Sequence, residues 1–207
     1  MSLAELWDKL VSNIQHAGWK EWVSVITQIA SVWYARKNNV LVYPTGIIGV
    51  VLAAYLYFFN SHPPLYADGT LNIYYFLMSI YGWYNWMQKK DAAHLTYPIS
   101  WCSKKELLIG AALFFIAWGA IYFALIRTDS NTPILDSLVS ASAVVAMWWM
   151  AKRKIENWLA WIISNIVAIP LNFYKEFYLF TLMYVLFFGM ALWGFIEWKK
   201  QAAKNQI

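Results

Sequence analysis

The chain has a single cysteine, Cys102. That excludes a disulfide framework and a cysteine-ligated metal centre. Charge is scarce too: Asp, Glu, Lys and Arg make up 13% of the 207 residues, about half of what a soluble domain carries. The three histidines, His16, His62 and His94, are scattered. There is no HExxH pair, no Walker loop, no GxSxG elbow and no GxGxxG turn. With no nucleophile, metal set or cofactor loop, the chain does not read as an enzyme, and no cofactor is expected.

What is abundant is apolar surface. Hydrophobic residues are 61% of the chain and aromatics 19%. Crossing a bilayer takes roughly 17–25 apolar residues. Val40–Asn60, Leu71–Gln88, Leu107–Ile126 and Asn157–Tyr174 are free of charge, and Phe177–Trp198 carries only Glu197 near its end. Two shorter uncharged runs, Trp22–Ala35 and Ser137–Ala151, bear tryptophans of the kind that mark membrane boundaries. The expected fold is therefore an all-α integral membrane protein of seven transmembrane helices. The first segment differs. Leu3, Leu6, Leu10, Ile14 and Ala17 recur at helical spacing with Glu5, Asp8 and Lys9 between them, the pattern of an amphipathic helix lying in the interface.

The net charge of +5 is a matter of topology. With the N-terminus outside and seven crossings, twelve of the 16 basic residues fall on the inside, among them Arg36, Lys89, Lys152, Arg153 and Lys199. The positive-inside rule then puts the C-terminus in the cytosol. Nucleic acid is not an expected partner; the lipid bilayer is.

The chain also repeats itself. Shifted by 115, "VWYARK" falls on "MWWMAK", and "GIIGVVLAAYLYFF" on "WIISNIVAIPLNFY". After a surplus around "SHPPLYADG" the shift becomes 112, and "GWYNW" (82–86) meets "GFIEW" (194–198). Two three-helix units follow, with Leu107–Ile126 left between them. Three crossings reverse the chain's direction and the extra one restores it, so the repeats are parallel. That is a transporter architecture, with a site between the halves. The expected divisions are an interfacial helix at 1–18, a first repeat at 19–90, a cytosolic loop and linker helix at 91–134, a second repeat at 135–200 and a tail at 201–207.

No Asp, Glu or His lies deep in a span, so a proton or sodium pump is not expected. Glu197 is expected to face water at the cytosolic boundary. The polar residues within spans are neutral: Gln28, Thr45, Asn72, Ser164, Asn165 and Asn172. Of the aromatics, Trp22, Trp86 and Trp198 read as interfacial belts. Tyr74, Tyr75, Trp118, Tyr184 and Trp193 sit deeper and suit a flat or cationic ligand. Pro170 interrupts the sixth helix, which marks that helix as mobile or site-lining.

The runs "ARKNN" and "YGWYNWMQKK", the turn "KRKIENWLAW", Asn165 after it, "YKEFYLFTLMY" and the two Gly-x-x-x-Trp endings together resemble the PnuC family of bacterial vitamin transporters. The resemblance covers about Trp19 to Lys200. It implies nicotinamide riboside uptake across the inner membrane by facilitated diffusion with alternating access. A cytosolic nicotinamide riboside kinase would trap the vitamin. It also implies a fold similar to SWEET-class sugar transporters (3+1+3) and a homotrimer. On this reading Gln28, Asn165, Asn172 and Tyr184 supply hydrogen bonds, while Trp149 and Trp193 flank the ring. The alternatives are thiamine or another vitamin or nucleoside as cargo, or a membrane scaffold that transports nothing.

Overall fold

The computed structural model describes residues 7–8, 11–12, 14–15, 17–60, 66–89, 96–128 and 130–204. Leu3, Leu6, Leu10, Glu5 and Lys9, on which the interfacial-helix expectation leans, lie outside them. Among the described residues from Trp19 onward there are seven long helices: α1 (Trp19–Arg36), α2 (Val42–Tyr55, running on as a π-helical turn at Leu56–Asn60), α3 (Tyr66–Met87), α4 (Lys104–Leu125), α5 (Pro133–Ala151), α6 (Glu156–Tyr174) and α7 (Tyr178–Lys204). Four stretches, Val42–Asn60, Lys104–Leu125, Pro133–Ala151 and Phe180–Lys204, are long and apolar enough to cross a membrane by length and composition alone. The other three helices pack with them in one bundle.

Packing runs α1–α2–α3–α5–α6–α7 and back to α1, a closed ring of six. α4 lies outside the ring, packed on α5. The seams between the halves are therefore α3–α5 and α1–α7, and a shift of one repeat turns one seam into the other.

The repeat is visible bond by bond at the basic end, where α1, α3, α5 and α7 finish. The α1–α2 turn places Asn38 at φ 52°, and the α5–α6 turn places Arg153 at φ 53°, 115 residues later. In each turn two backbone N–H groups cap the departing helix: Asn38 to Ala35 and Asn39 to Tyr34, Arg153 to Met150 and Lys154 to Trp149. Carbonyls at a helix end have no partner within the helix. The chain satisfies two of them reciprocally. Trp198 of the second half donates its indole N–H to the Ala35 carbonyl of the first at 3.0 Å. Trp86 of the first donates to Met150 of the second at 3.1 Å. The two indoles meet at 5.9 Å between centroids.

This corrects the belt reading: Trp86 is 3% exposed and Trp198 0%, and both are internal latches. The glycine four residues before each is the other part of the motif. Gly82 lies against the Tyr43 ring, and a methyl group at Gly194 would come within 2.6 Å of Trp158. Tyr43 and Trp158, again 115 apart, stand edge-on to Trp86 and Trp198 at 5.1 and 5.5 Å. Two charged contacts finish the end. Arg36, 1% exposed, pairs with Glu197 at 2.8 Å and lies between the rings of Trp33 and Trp193. Glu197 is thus held across the α1–α7 seam while its side chain stays 28% exposed. Arg153 donates to the Asn38 side chain and to the carbonyls of Tyr97 and Trp86. Burial lowers its pKa to about 10, so it stays charged at neutral pH.

Gly194→Ala is expected to lower stability by about 1–3 kcal/mol, because the Trp158 ring must shift to admit the methyl group, whereas Gly119→Ala, with open space around it, is expected to be neutral. Trp86→Phe is expected to lower stability by about 0.5–1.5 kcal/mol through the lost indole–carbonyl bond, since the Met150 carbonyl keeps the Arg153 N–H. Thermal unfolding in detergent checks all three.

Candidate functional site

Above the latches, four helices turn matching stripes inward. On α3 the stripe is Asp68, Asn72, Tyr75, Ser79, Gly82 and Trp86; on α6 it is Trp158, Trp161, Asn165, Ala168 and Asn172. Steps of three and four residues keep each set on one helix face. The repeat converts them into Tyr184, Phe187, Ala191, Gly194 and Trp198 on α7 and Tyr43, Gly46, Val50, Ala53 and Tyr57 on α2. That these faces look inward follows from their contacts. Tyr75 of α3 meets Trp161 of α6 at 6.4 Å, although these two helices are not ring neighbours. Trp86 meets Trp198 one layer nearer the basic end.

The backbone is symmetric there and the chemistry is not. Where α2 has Gly46 and Val50, α6 has Trp161 and Asn165. Where α3 has Asn72, Tyr75 and Ser79, α7 has Tyr184, Phe187 and Ala191. One wall of the interior is small and apolar while the facing one is aromatic and hydrogen-bonding.

Its polar groups are also unspent. Asn165 is 3% exposed, and among the described residues its amide has no hydrogen-bond partner. The same holds for the Ser79 hydroxyl and the phenols of Tyr57, Tyr75 and Tyr184. Asn172 donates to Ala168 of its own helix at 2.8 Å, and Asn72 to Asp68 at 2.9 Å, so both keep a free amide oxygen. Asn165 and Ser79 are buried and the three tyrosines half-buried, yet none of these polar atoms is sealed off. Water or a ligand can reach the set and complete it.

The structure brings Asn165, Asn172 and Tyr184 to this interior. Gln28 is elsewhere: its side chain packs beside Gly49 at the α1–α2 contact and donates to Ser24. Trp149 lies over Gly110 of α4, on the linker side of α5. Trp193 is 49% exposed and stacks on Arg36. These three hold helices together where they stand. Pro170 is exposed on the face of α6 opposite Asn165, between two apolar recesses of about 510 and 500 Å³; the helix lines the site and the proline does not. The sequence reading does not reach Trp161. The signal for it is the spacing 158, 161, 165, 168, 172, which the uniformly apolar run conceals.

If Asn165 waits for a ligand, Asn165→Leu will leave the thermal midpoint unchanged or raise it. If it were interhelical glue, the substitution would lower the midpoint by several degrees.

Comparison with known proteins adds four findings. A family model described as nicotinamide mononucleotide transporter matches residues 18–200. The riboflavin/roseoflavin transporter RibM of Streptomyces davaonensis is 25% identical over 189 residues, spanning 89% of this chain and 86% of that protein. The nicotinamide riboside transporter PnuC of Escherichia coli is 24% identical over 212 residues, spanning 90% and 87%. Among solved structures, the crystal structure of the vitamin B3 transporter PnuC matches with a TM-score of 0.72 at 25% identity, covering 98% of this chain and 90% of that one.

Proposed function

We propose a cargo and a cycle for this chain, which belongs to the nicotinamide mononucleotide transporter family: it carries nicotinamide riboside across the bacterial inner membrane by facilitated diffusion. The family is one of membrane transporters, so the chain is a transporter rather than an enzyme. The observation that carries the choice of cargo is the set of unpartnered polar groups around the Tyr75–Trp161 contact. Nicotinamide riboside is a flat pyridinium cation with a carboxamide at one side and a ribose at the other. Aromatic faces attract such a ring through their quadrupole. The Asn165 amide, 3% exposed, matches the carboxamide, and Asn172, Tyr57 and Tyr184 suit ribose hydroxyls. The stripes carry no Lys or Arg, which disfavours the mononucleotide, whose phosphate would lie there without a counter-charge.

Transport follows from the two halves. In the state described, the latches hold the basic end shut. By the positive-inside rule that end faces the cytosol and the N-terminus lies outside. Rocking one half against the other along the α3–α5 and α1–α7 seams breaks the latches and presents the ligand inward. No ion is coupled in this cycle. An uncoupled carrier of a monovalent cation moves charge, so an inside-negative potential draws the cargo in with about 2.3 kcal/mol per 100 mV. A cytosolic nicotinamide riboside kinase then traps it. The exposed apolar flank of α4, where Leu108, Phe115 and Ile116 are all exposed, is the surface offered to a homotrimer.

A second cargo, riboflavin, is favoured by one finding, the relative named for it at similar identity. Titration calorimetry on the purified protein separates them. The expected result is saturable binding of nicotinamide riboside, weakened at least tenfold by Trp161→Ala, with no heat from riboflavin, thiamine or nicotinamide mononucleotide. Binding of riboflavin or thiamine alone would overturn the cargo and leave the cycle standing.

A further inference from the structure

The interior stripes hold one formal charge. Asp68 heads the α3 stripe, and the positions below it down to Trp86 are neutral, as are those on α2, α6 and α7. The repeat does not duplicate it, for its counterpart on α7 is Phe180. The carboxylate therefore belongs to one half of a nearly symmetric scaffold.

Asp68 is also uncommitted. Another acid at this end, Asp136, is fully engaged: Lys175 reaches both its oxygens at 2.6 and 2.8 Å, and Ser130 and Thr132 donate to it at 2.9 and 3.1 Å. Asp68 has no ion pair among the described residues, and Lys175, the nearby cation, is taken by Asp136. Asp68 sits in the first turn of α3, where the helix dipole favours a negative charge. Asp68 is exposed at the head of the stripe, and Asn72 and Tyr75 follow it on the same face of α3. An exposed carboxylate at the mouth of an otherwise uncharged aromatic lining selects for positive charge. The aromatic lining already favours a cationic ring; Asp68 adds the one full negative charge on the stripes to that preference.

We propose that Asp68 is the charge-selecting residue of this carrier, favouring cationic over neutral ribosides at the mouth opposite the basic end. The inference rests on the riboside reading above. Nicotinamide riboside and its dihydro form share a skeleton and differ in ring charge, so they isolate the effect. Uptake into proteoliposomes is measured for both, with wild type, Asp68→Asn and Asp68→Glu. The expected result for Asp68→Asn is an apparent KM for the cation raised about tenfold, with the dihydro form within twofold of wild type. Asp68→Glu retains the preference. Unchanged dihydro uptake also certifies that the variant is folded. Equal loss for both ligands, or no change for either, would overturn the role of Asp68 and leave the riboside reading intact. A wild-type protein that carries neither riboside would overturn that reading and this inference with it.

Discussion

The reciprocal indole–carbonyl bond at the basic end is the constraint from which the rest of the architecture follows. Trp86 and Trp198 each reach out of their own half to satisfy the last turn of the other half's first helix. A tryptophan offers one donor and a large apolar body. It can therefore cap a buried carbonyl and fill the space around it at once. For the indole to lie there, a ring from the second helix must fit beneath it, and for that ring to fit, the third helix must carry glycine. Gly-x-x-x-Trp is what this packing requires, and the chain contains it twice because the halves hold each other by the same bond in both directions.

Such a joint is built from a few discrete bonds. Its parts are two indole–carbonyl hydrogen bonds, one ion pair across the α1–α7 seam, one amide contact, Asn85 to the Ala151 carbonyl at 3.3 Å, at the equivalent place across α3–α5, the Tyr74 phenol on the Val144 carbonyl, and the Arg153 guanidinium on Asn38 and the Trp86 carbonyl. Neutral hydrogen bonds are each worth about 0.5–1.5 kcal/mol net and charged ones about 1.5–3, so the charged contacts dominate what opening must break. The seams are unequal, since one carries Arg36 with Glu197 and the other an amide. Functional asymmetry thus exists in the joint as it does in the lining, laid over a symmetric backbone.

Much of this was legible in the sequence, and the limits have physical causes. Span positions, the parallel repeat and the family resemblance all come from patterns that depend on sequence order. The burial of Trp86 and Trp198 does not. An indole at the end of an apolar run suits a lipid–water interface and a buried helix terminus equally well, and only the partner carbonyl decides. Trp149 and Trp193 were drawn to the site for a related reason. Helices that are apolar all round carry no moment to say which face looks inward, and Trp149 turns to α4 while Trp193 turns to Arg36. Asn165 stood out because a lone amide in an apolar run must find a partner. Trp161, one turn before it, did not, because one more indole in a chain with 14 tryptophans is no signal without the register. Asp68 was hidden by its place beyond the apolar run, where carboxylates are ordinary.

The account stands on an interior that opens to one side at a time. Ser79 lies in it, buried between the Tyr75–Trp161 and Trp86–Trp198 layers. The most direct measurement places a single cysteine there (Ser79→Cys with Cys102→Ser) in sidedness-controlled vesicles. A membrane-impermeant thiol reagent is then applied from either face, with and without nicotinamide riboside. The expected result is reaction from one face at rest and a ligand-dependent gain from the other, never from both in one state. Simultaneous access from both faces would make the protein a channel, and access from one face unaffected by ligand would contradict the latch as a moving part.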